Sequence, residues 1–175
     1  MKVQEFIDRY YACTKGYLWL RSLGDPKRVE MSTAWRKRKR PDWLMWAAMH
    51  AVDHDKRKMQ KLALVYIGIA REVVHTKLME NEVYGLNLMA WQLKTRRDVA
   101  ALEKKTEQDA TLDGYGVLDL NCACEWYESA DYMEVAISCG DIMLTDTKKG
   151  IALGLCKKLI KNPFDKVPGQ SNKSN

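Results

Sequence analysis

The feature that most constrains the fold is a long stretch, residues 56–78, in which apolar residues recur every three or four positions. This spacing places them on one side of an α-helix. The apolar arc is broad, so this helix is predicted to lie at the centre of a core. Its apolar residues are Met59, Leu62, Ala63, Val65, Tyr66, Ile69, Ala70, Val73 and Val74.

The rest of the chain shows the same helical spacing, interrupted by residues that end or begin helices. Gly24 is suited to close one helix, Pro41 suits the first turn of another, and Asp53 and Asp55 are candidate N-caps for the long helix. Few glycines and prolines, 10 and 4, leave little room for sheet turns. The sequence therefore predicts an all-α fold, a single domain of about seven or eight helices in an orthogonal or solenoid-like bundle.

The single helical domain is predicted to span residues 1–165. Residues 166–175 are predicted to form a disordered tail, because GQSNKSN is too small and polar to pack. Within the domain, one helix is expected to run from Ser32 or Thr33 through the cations that precede Pro41, and another to cover 82–94. In a long segment from Val117 to about Leu144, the candidate core residues are Leu118, Cys122, Trp126, Met133 and Ile137.

Charge is distributed unevenly along the chain, whose formal net charge is +6. Residues 1–100 carry 20 Lys and Arg against 11 Asp and Glu, whereas residues 101–175 carry 9 against 12. No cation lies between Lys105 and Lys148, and carboxylates are frequent there from Asp109 to Asp146. The asymmetry indicates either internal pairing of the two parts or an external partner for one of them.

The cellular compartment and the use of cofactors are predicted from the apolar runs, the N-terminal charges and the spacing of cysteines and histidines. No apolar run approaches the length of a membrane span, residues 1–12 are charged where a signal peptide is apolar, and the five cysteines are irregularly spaced. We expect a cytoplasmic protein with reduced thiols and no membrane attachment. His50 with His54, and Cys122 with Cys124, lack the spacing of a zinc site, so no metal, no cofactor and no catalytic residue is predicted.

The strongest candidate for a functional surface is a run of five consecutive cations, followed by a proline and two tryptophans. Three further cations open the long helix. Such charge gives salt-sensitive affinity for phosphates, and it also speeds and orients the approach of an acidic protein. The candidate partner-binding residues are Arg36, Lys37, Arg38, Lys39, Arg40, Lys56, Arg57 and Lys58.

Two observations weigh against nucleic acid as the partner of this run. Cations that follow one another on a helix point in different directions, so at most about three of them could follow one phosphate backbone. Single strands also require exposed aromatic rings, whereas Trp43 and Trp46 lie among alanines that indicate close packing. A solvated face without a binding role is the remaining interpretation of the run.

Several segments, in order, resemble one protein family. They read YACTKGYLWLRSLGD, AWRKRKRPDWLMWAA, LALVYIGIARE and CKKLIKNPF, and the matching positions are Cys13, Trp19, Trp35, Asp42, Trp43, Leu44 and Trp46. The pattern is similar to that of small helical immunity proteins of bacteria and phages, the Imm5-like group, whose members carry Asp-Trp-Leu-Leu-Trp at this place. The resemblance covers residues 5–75 and, beyond them, only the general helical pattern and the terminal segment CKKLIKNPF. The five-cation run and the acidic C-terminal part depart from the family pattern.

The resemblance implies an all-helical architecture in which the tryptophans and Asp42 are structural, and a role in conflict between phage and bacterium. It implies no catalytic residues. Our leading hypothesis is a non-enzymatic inhibitor of a protein partner: an immunity protein against a toxin, or a phage anti-defence protein that blocks a host defence complex such as a nuclease carrying nucleic acid. The alternative is a basic helical nucleic-acid-binding accessory protein.

Overall fold

A computed structural model describes residues 1–78, 93–108, 114–143 and 149–165. These residues form nine helices and no strand, which confirms the predicted all-α class. Most of the helix predicted at 82–94 and the whole tail predicted at 166–175 lie outside them. The helices are α1 (Val3–Tyr10), α2 (Thr14–Ser22), α3 (Met31–Arg36), α4 (Pro41–Ala51), α5 (Lys56–Leu78), α6 (Arg96–Gln108), α7 (Gly114–Glu128), α8 (Tyr132–Ile142) and α9 (Lys149–Leu159).

The described chain divides into two compact units, a subdivision that left no signal in the sequence pattern. The first unit contains Met1–Arg38 and also the segment that begins at Asn162, and the second is Lys39–Lys161. No helix in the described residues is both long enough and apolar enough to cross a membrane.

In the first unit, α1 packs against α3 and the C-terminal segment returns to the same core. The backbone N–H of Val3 donates to the carbonyl of Val29 over 2.9 Å. Phe164 meets two rings edge-on, with centroids 5.7 Å from Phe6 and 5.9 Å from Trp35. The Asn162 side chain accepts the Phe164 N–H at 3.0 Å, which fixes the turn that carries this ring inward.

In the second unit, α5 lies at the centre and packs against α7, α8 and α9. Tyr66, Ile67, Ile69, Ala70 and Val73 are fully buried, because the broad apolar arc of this helix meets neighbours on several sides. The prediction of a central helix is confirmed.

The helix ends predicted from a proline, a capping aspartate and a glycine are confirmed. Pro41 is the first residue of α4. The Asp55 carboxylate accepts the N–H groups of Arg57 and Lys58, each at 3.1 Å, and so caps α5. Gly24 follows α2 with φ +130°, a backbone conformation that favours glycine.

One prediction about helix extent is wrong, because α3 ends at Arg36 and does not continue through the basic run. The long segment predicted from Val117 to about Leu144 forms two helices in its described part. Ala130 adopts a left-handed φ of 62° between them, and the Asp131 side chain accepts the Glu134 N–H as the cap of α8.

The predicted core of that segment is partly wrong. Trp126 and Ile137 are 40% and 43% exposed. The buried face of α7 instead carries Leu120, Ala123, Cys124 and Tyr127. Because Ala130 interrupts the helical backbone, the two helices bury faces that one continuous helical pattern does not predict.

Candidate functional site

The basic run connects α3 to α4. Arg40 is extended, with φ −123° and ψ 127°, as expected for a residue that precedes a proline. The boundary between the units falls inside the run, so Arg36, Lys37 and Arg38 belong to the first unit and the two remaining cations to the second.

Arg38 is held by a tryptophan of its own unit. Its guanidinium lies 4.8 Å from the centre of the Trp35 ring, and one of its N–H groups donates to the Trp35 carbonyl oxygen. Trp35 is only 5% exposed. A cation over an indole face is attracted by the ring quadrupole, so Arg38 fixes the end of α3.

Arg40 is held in a similar way in the second unit. Its guanidinium donates to both carboxylate oxygens of Asp42, over 3.0 Å from Nε and 2.6 Å from Nη2, and lies 4.4 Å from the centre of the Trp43 ring. The side chains of Arg40 and Asp42 are 24% and 16% exposed. The planar fork of arginine matches a carboxylate in this geometry, so Arg40 anchors the start of α4.

The other three cations of the run, Arg36, Lys37 and Lys39, are exposed. The expectation that a helix would spread the run over all its faces is therefore wrong. Two of the predicted binding residues are engaged by neighbouring tryptophans, and three extend into solvent beside them. Of the two tryptophans discussed above as possible stacking rings, Trp43 lies under the Arg40 guanidinium and Trp46 meets His50 edge-on.

The second predicted group, Lys56, Arg57 and Lys58, forms the exposed first turn of α5. Cations at a helix N-terminus oppose the macrodipole, and Asp55 offsets this as the cap and through an ion pair of 3.2 Å to Lys58. Hydrogen bonds from Lys58 lower the pKa of Asp55. Since this turn and Arg36–Arg38 belong to different units, the eight predicted residues do not form one surface within either unit.

A shallow groove in the second unit lies between the first turn of α5 and the junction of α7 and α8. Its volume is about 360 Å³. Side chains of both charges line it, namely Lys56, Asp53 and Asp131. Met59, Tyr132 and Met133 form its apolar lining. The groove therefore has no dominant charge that would select one class of ion.

The histidines and cysteines lie in separate environments. His50 meets the Trp46 ring edge-on at 4.6 Å, and burial lowers its pKa while Asp53 raises it. His54 is exposed, 3.8 Å from Asp53. Burial raises the pKa of Cys124 to about 12, so its thiolate is scarce at neutral pH. The described part of the chain contains no group of three or more side chains suited to hold a metal.

One buried charge was not predicted from the sequence. Arg71 is fully buried in α5, and its charge lowers the pKa of Cys124, which Glu103 and Glu128 raise. The spacing of the sequence does indicate that Arg71 lies on the buried side of α5. It follows Ile67 by four positions and precedes Val74 by three, and Ile67 and Val74 are both buried.

Comparison of the chain with protein-family models gives no match, and comparisons with curated proteins and with solved structures give no significant match.

Proposed function

We propose that this chain is a non-enzymatic inhibitor that binds an acidic protein through the exposed cations of the basic run. The observation that carries this proposal is the division of the run: Arg38 and Arg40 are fixed on Trp35 and Trp43, whereas Arg36, Lys37 and Lys39 are exposed. Each unit thus presents exposed cations beside a fixed arginine. A stiffened backbone reduces the conformational entropy that the cations lose on binding.

A protein partner is favoured over single-stranded nucleic acid by the state of the tryptophans. Stacking of bases requires an open aromatic face. Trp35 is almost completely buried, and guanidinium groups lie over both Trp35 and Trp43. Exposed cations beside these two covered tryptophans fit a carboxylate-rich protein surface, where charge complementarity speeds encounter and fixes orientation.

The resemblance to the Imm5-like immunity proteins supports a role in conflict between phage and bacterium. In this proposal the chain acts in the cytoplasm and blocks its partner by occupying a surface. The partner is a toxin or a host defence complex.

The experiment is an affinity capture from nuclease-treated bacterial lysate. It compares the wild-type chain with a variant in which Arg36, Lys37 and Lys39 are changed to Gln. A matched control carries the same charge loss at Lys157, Lys158 and Lys161, which are also exposed. We expect one protein to be retained by the wild type and the control at raised salt, and to be lost with the first variant. Recovery of nucleic acid alone, released by salt, contradicts the proposal and favours the nucleic-acid-binding alternative.

A further inference from the structure

Tyr11, directly after α1, combines backbone strain with exposure. Its φ of 48° and ψ of 61° are left-handed, and its N–H caps the helix by donating to the Ile7 carbonyl at 3.2 Å. Glycine is the usual residue at such a position because it adopts this conformation without steric cost. The Tyr11 side chain is nevertheless 87% exposed, so burial of its ring does not offset the strain. Strain at an exposed aromatic residue is a reason to look for a function.

The outer face of α2 lies close to Tyr11 in the chain. Tyr11 lies three positions before Thr14, the first residue of α2, which limits the distance between their Cα atoms to about 10 Å. Gly16 and Leu20 take the buried side of α2, and Leu18 is directed outward with 60% exposure. Lys15 and Arg21, each three positions from Leu18, flank it on the same exposed face.

Cations predominate in the chain segment that carries this face. From Arg9 to Ser22 the chain contains three cations and no carboxylate. Arg21 is held by Tyr17, to whose hydroxyl it donates at 2.8 Å and over whose ring it lies at 5.5 Å. Arg9 lies 5.1 Å from the centre of the Tyr10 ring. An apolar centre bordered by fixed cations is the arrangement of a protein-binding hot spot, where Tyr and Arg are enriched.

We propose that Tyr11 and the outer face of α2 form a docking surface of the first unit, which binds an acidic amphipathic helix of a partner protein. Leu18 packs against the apolar stripe of that helix, and Arg9, Lys15 and Arg21 face the carboxylates that border it. A protein is favoured over nucleic acid because the centre of the face is the aliphatic Leu18, which does not stack on bases. Tyr11 is an open ring, and the titration with oligo-dT described below tests whether bases stack on it. The surface is separate from the basic run, and the proposal does not depend on the function proposed above.

The experiment uses the full chain and a fluorescein-labelled synthetic helical peptide. The peptide carries Leu and Phe at i, i+3 and i+7 and Glu at the flanking positions, and binding is measured by fluorescence anisotropy. A second peptide with Ser at the apolar positions and an oligo-dT strand are titrated in parallel. The thiol of Cys13, exposed between Tyr11 and α2, reports the location of binding through its rate of reaction with a disulfide reagent.

We expect the acidic amphipathic peptide to bind and to protect Cys13. Tyr11→Gly and Leu18→Ser should each weaken binding by about tenfold or more, as for hot-spot residues. Ile151→Ser, at an equally apolar exposed position of α9, should bind as the wild type does. Tyr11→Gly should unfold at the same or a higher temperature, since glycine relieves the strained backbone. That result separates a docking role from a structural one.

Four results overturn the proposal. The first is the lack of measurable binding at the highest soluble peptide concentration. The second is equal binding by wild type, Tyr11→Gly and Leu18→Ser, and the third is binding that leaves Cys13 unprotected. The fourth is tighter binding of oligo-dT than of the acidic peptide, which assigns the face to nucleic acid.

Discussion

The core of the first unit is closed by three aromatic rings from distant parts of the sequence, whereas the core of the second is built along the length of α5. Phe6, Trp35 and Phe164 come from α1, α3 and the C-terminal segment. The second unit has many smaller contacts between α5 and helices that follow it. The first unit should therefore depend on a few long-range contacts, and the second should tolerate the loss of any one of them better.

The two units also differ in surface charge. In the first, α2 contains no carboxylate, whereas α7 and α8 in the second contain no Lys or Arg. Glu125, Asp131 and Asp141 are exposed, and none of the carboxylates on the described parts of these two helices forms an ion pair with a described cation. Residues 1–38 and 162–175 of the first unit carry 11 Lys and Arg against 5 Asp and Glu, and residues 39–161 of the second carry 18 of each, so the net charge of +6 lies in the first unit.

The largest effect is expected from the first unit. Phe164→Ala removes the ring that joins α1 to α3 and should lower the free energy of unfolding by about 2–3 kcal/mol, somewhat less than for a fully buried Phe. Urea denaturation followed by circular dichroism measures the change. Phe164→Leu, which retains most of the apolar volume, is the control and should lose clearly less. An unchanged midpoint for Phe164→Ala would show that the ring cluster does not hold this unit together.

A smaller effect is expected from two glycines of the second unit. A Cβ at Gly140 would lie 3.2 Å from the Cβ of Asp42, and Asp42 is fixed by Arg40, so the contact of α8 with α4 must open. We expect Gly140→Ala to cost about 1–2 kcal/mol.

Gly154 is the matched control for Gly140. A Cβ there meets nothing within 4 Å, so Gly154→Ala should stabilise by up to about 1 kcal/mol through helix propensity alone. Thermal unfolding of both variants measures the pair. If the two substitutions shift the midpoint in the same direction, the close approach of α4 and α8 is not a constraint on stability.

The smallest effect on stability is expected from Asp141, an acidic residue of α8 in the second unit. Burial, followed by Asp119 and Asp42, raises the pKa of Asp141. A raised carboxyl pKa in the folded state gives stability that is complete below the ordinary value of 3.8 and is lost as the pH rises through the folded pKa. Asp141→Asn should therefore stabilise at neutral pH by less than about 1 kcal/mol, because the group is largely exposed to solvent. The gain should vanish below the ordinary pKa.

Asp55, in the same unit, has a pKa shift in the opposite direction. Its pKa is lowered, first by the backbone hydrogen bond from Lys58, so its stabilising contribution is present above the ordinary pKa and is lost as the pH falls. Asp55→Asn should destabilise at neutral pH and converge with the wild type in acid. Unfolding midpoints measured from pH 3 to 7 compare the two variants. Parallel profiles for both would contradict the opposite directions of the two pKa shifts.

The sequence by itself determined the helical class and several helix ends. Pro41, Asp55 and Gly24 act through the backbone of their own neighbourhood, by lacking an N–H, by capping the first turn or by adopting a positive φ. Such effects do not depend on distant residues, so these helix ends could be predicted from the sequence alone. The central position of α5 could also be read, because its apolar arc is too broad to face one neighbour only.

Only the tertiary structure decided which faces are buried and where the cations point. Leu18, Trp126 and Ile137 have the spacing of core residues yet are exposed, because a short helix offers more than one apolar side and the packing of distant elements selects among them. Arg38 and Arg40 were indistinguishable from Lys39 in a run of charge, and only the positions of Trp35, Asp42 and Trp43 separate structural from exposed cations. The return of Phe164 to α1 and α3 is a contact between chain ends, and local sequence carries no signal for it.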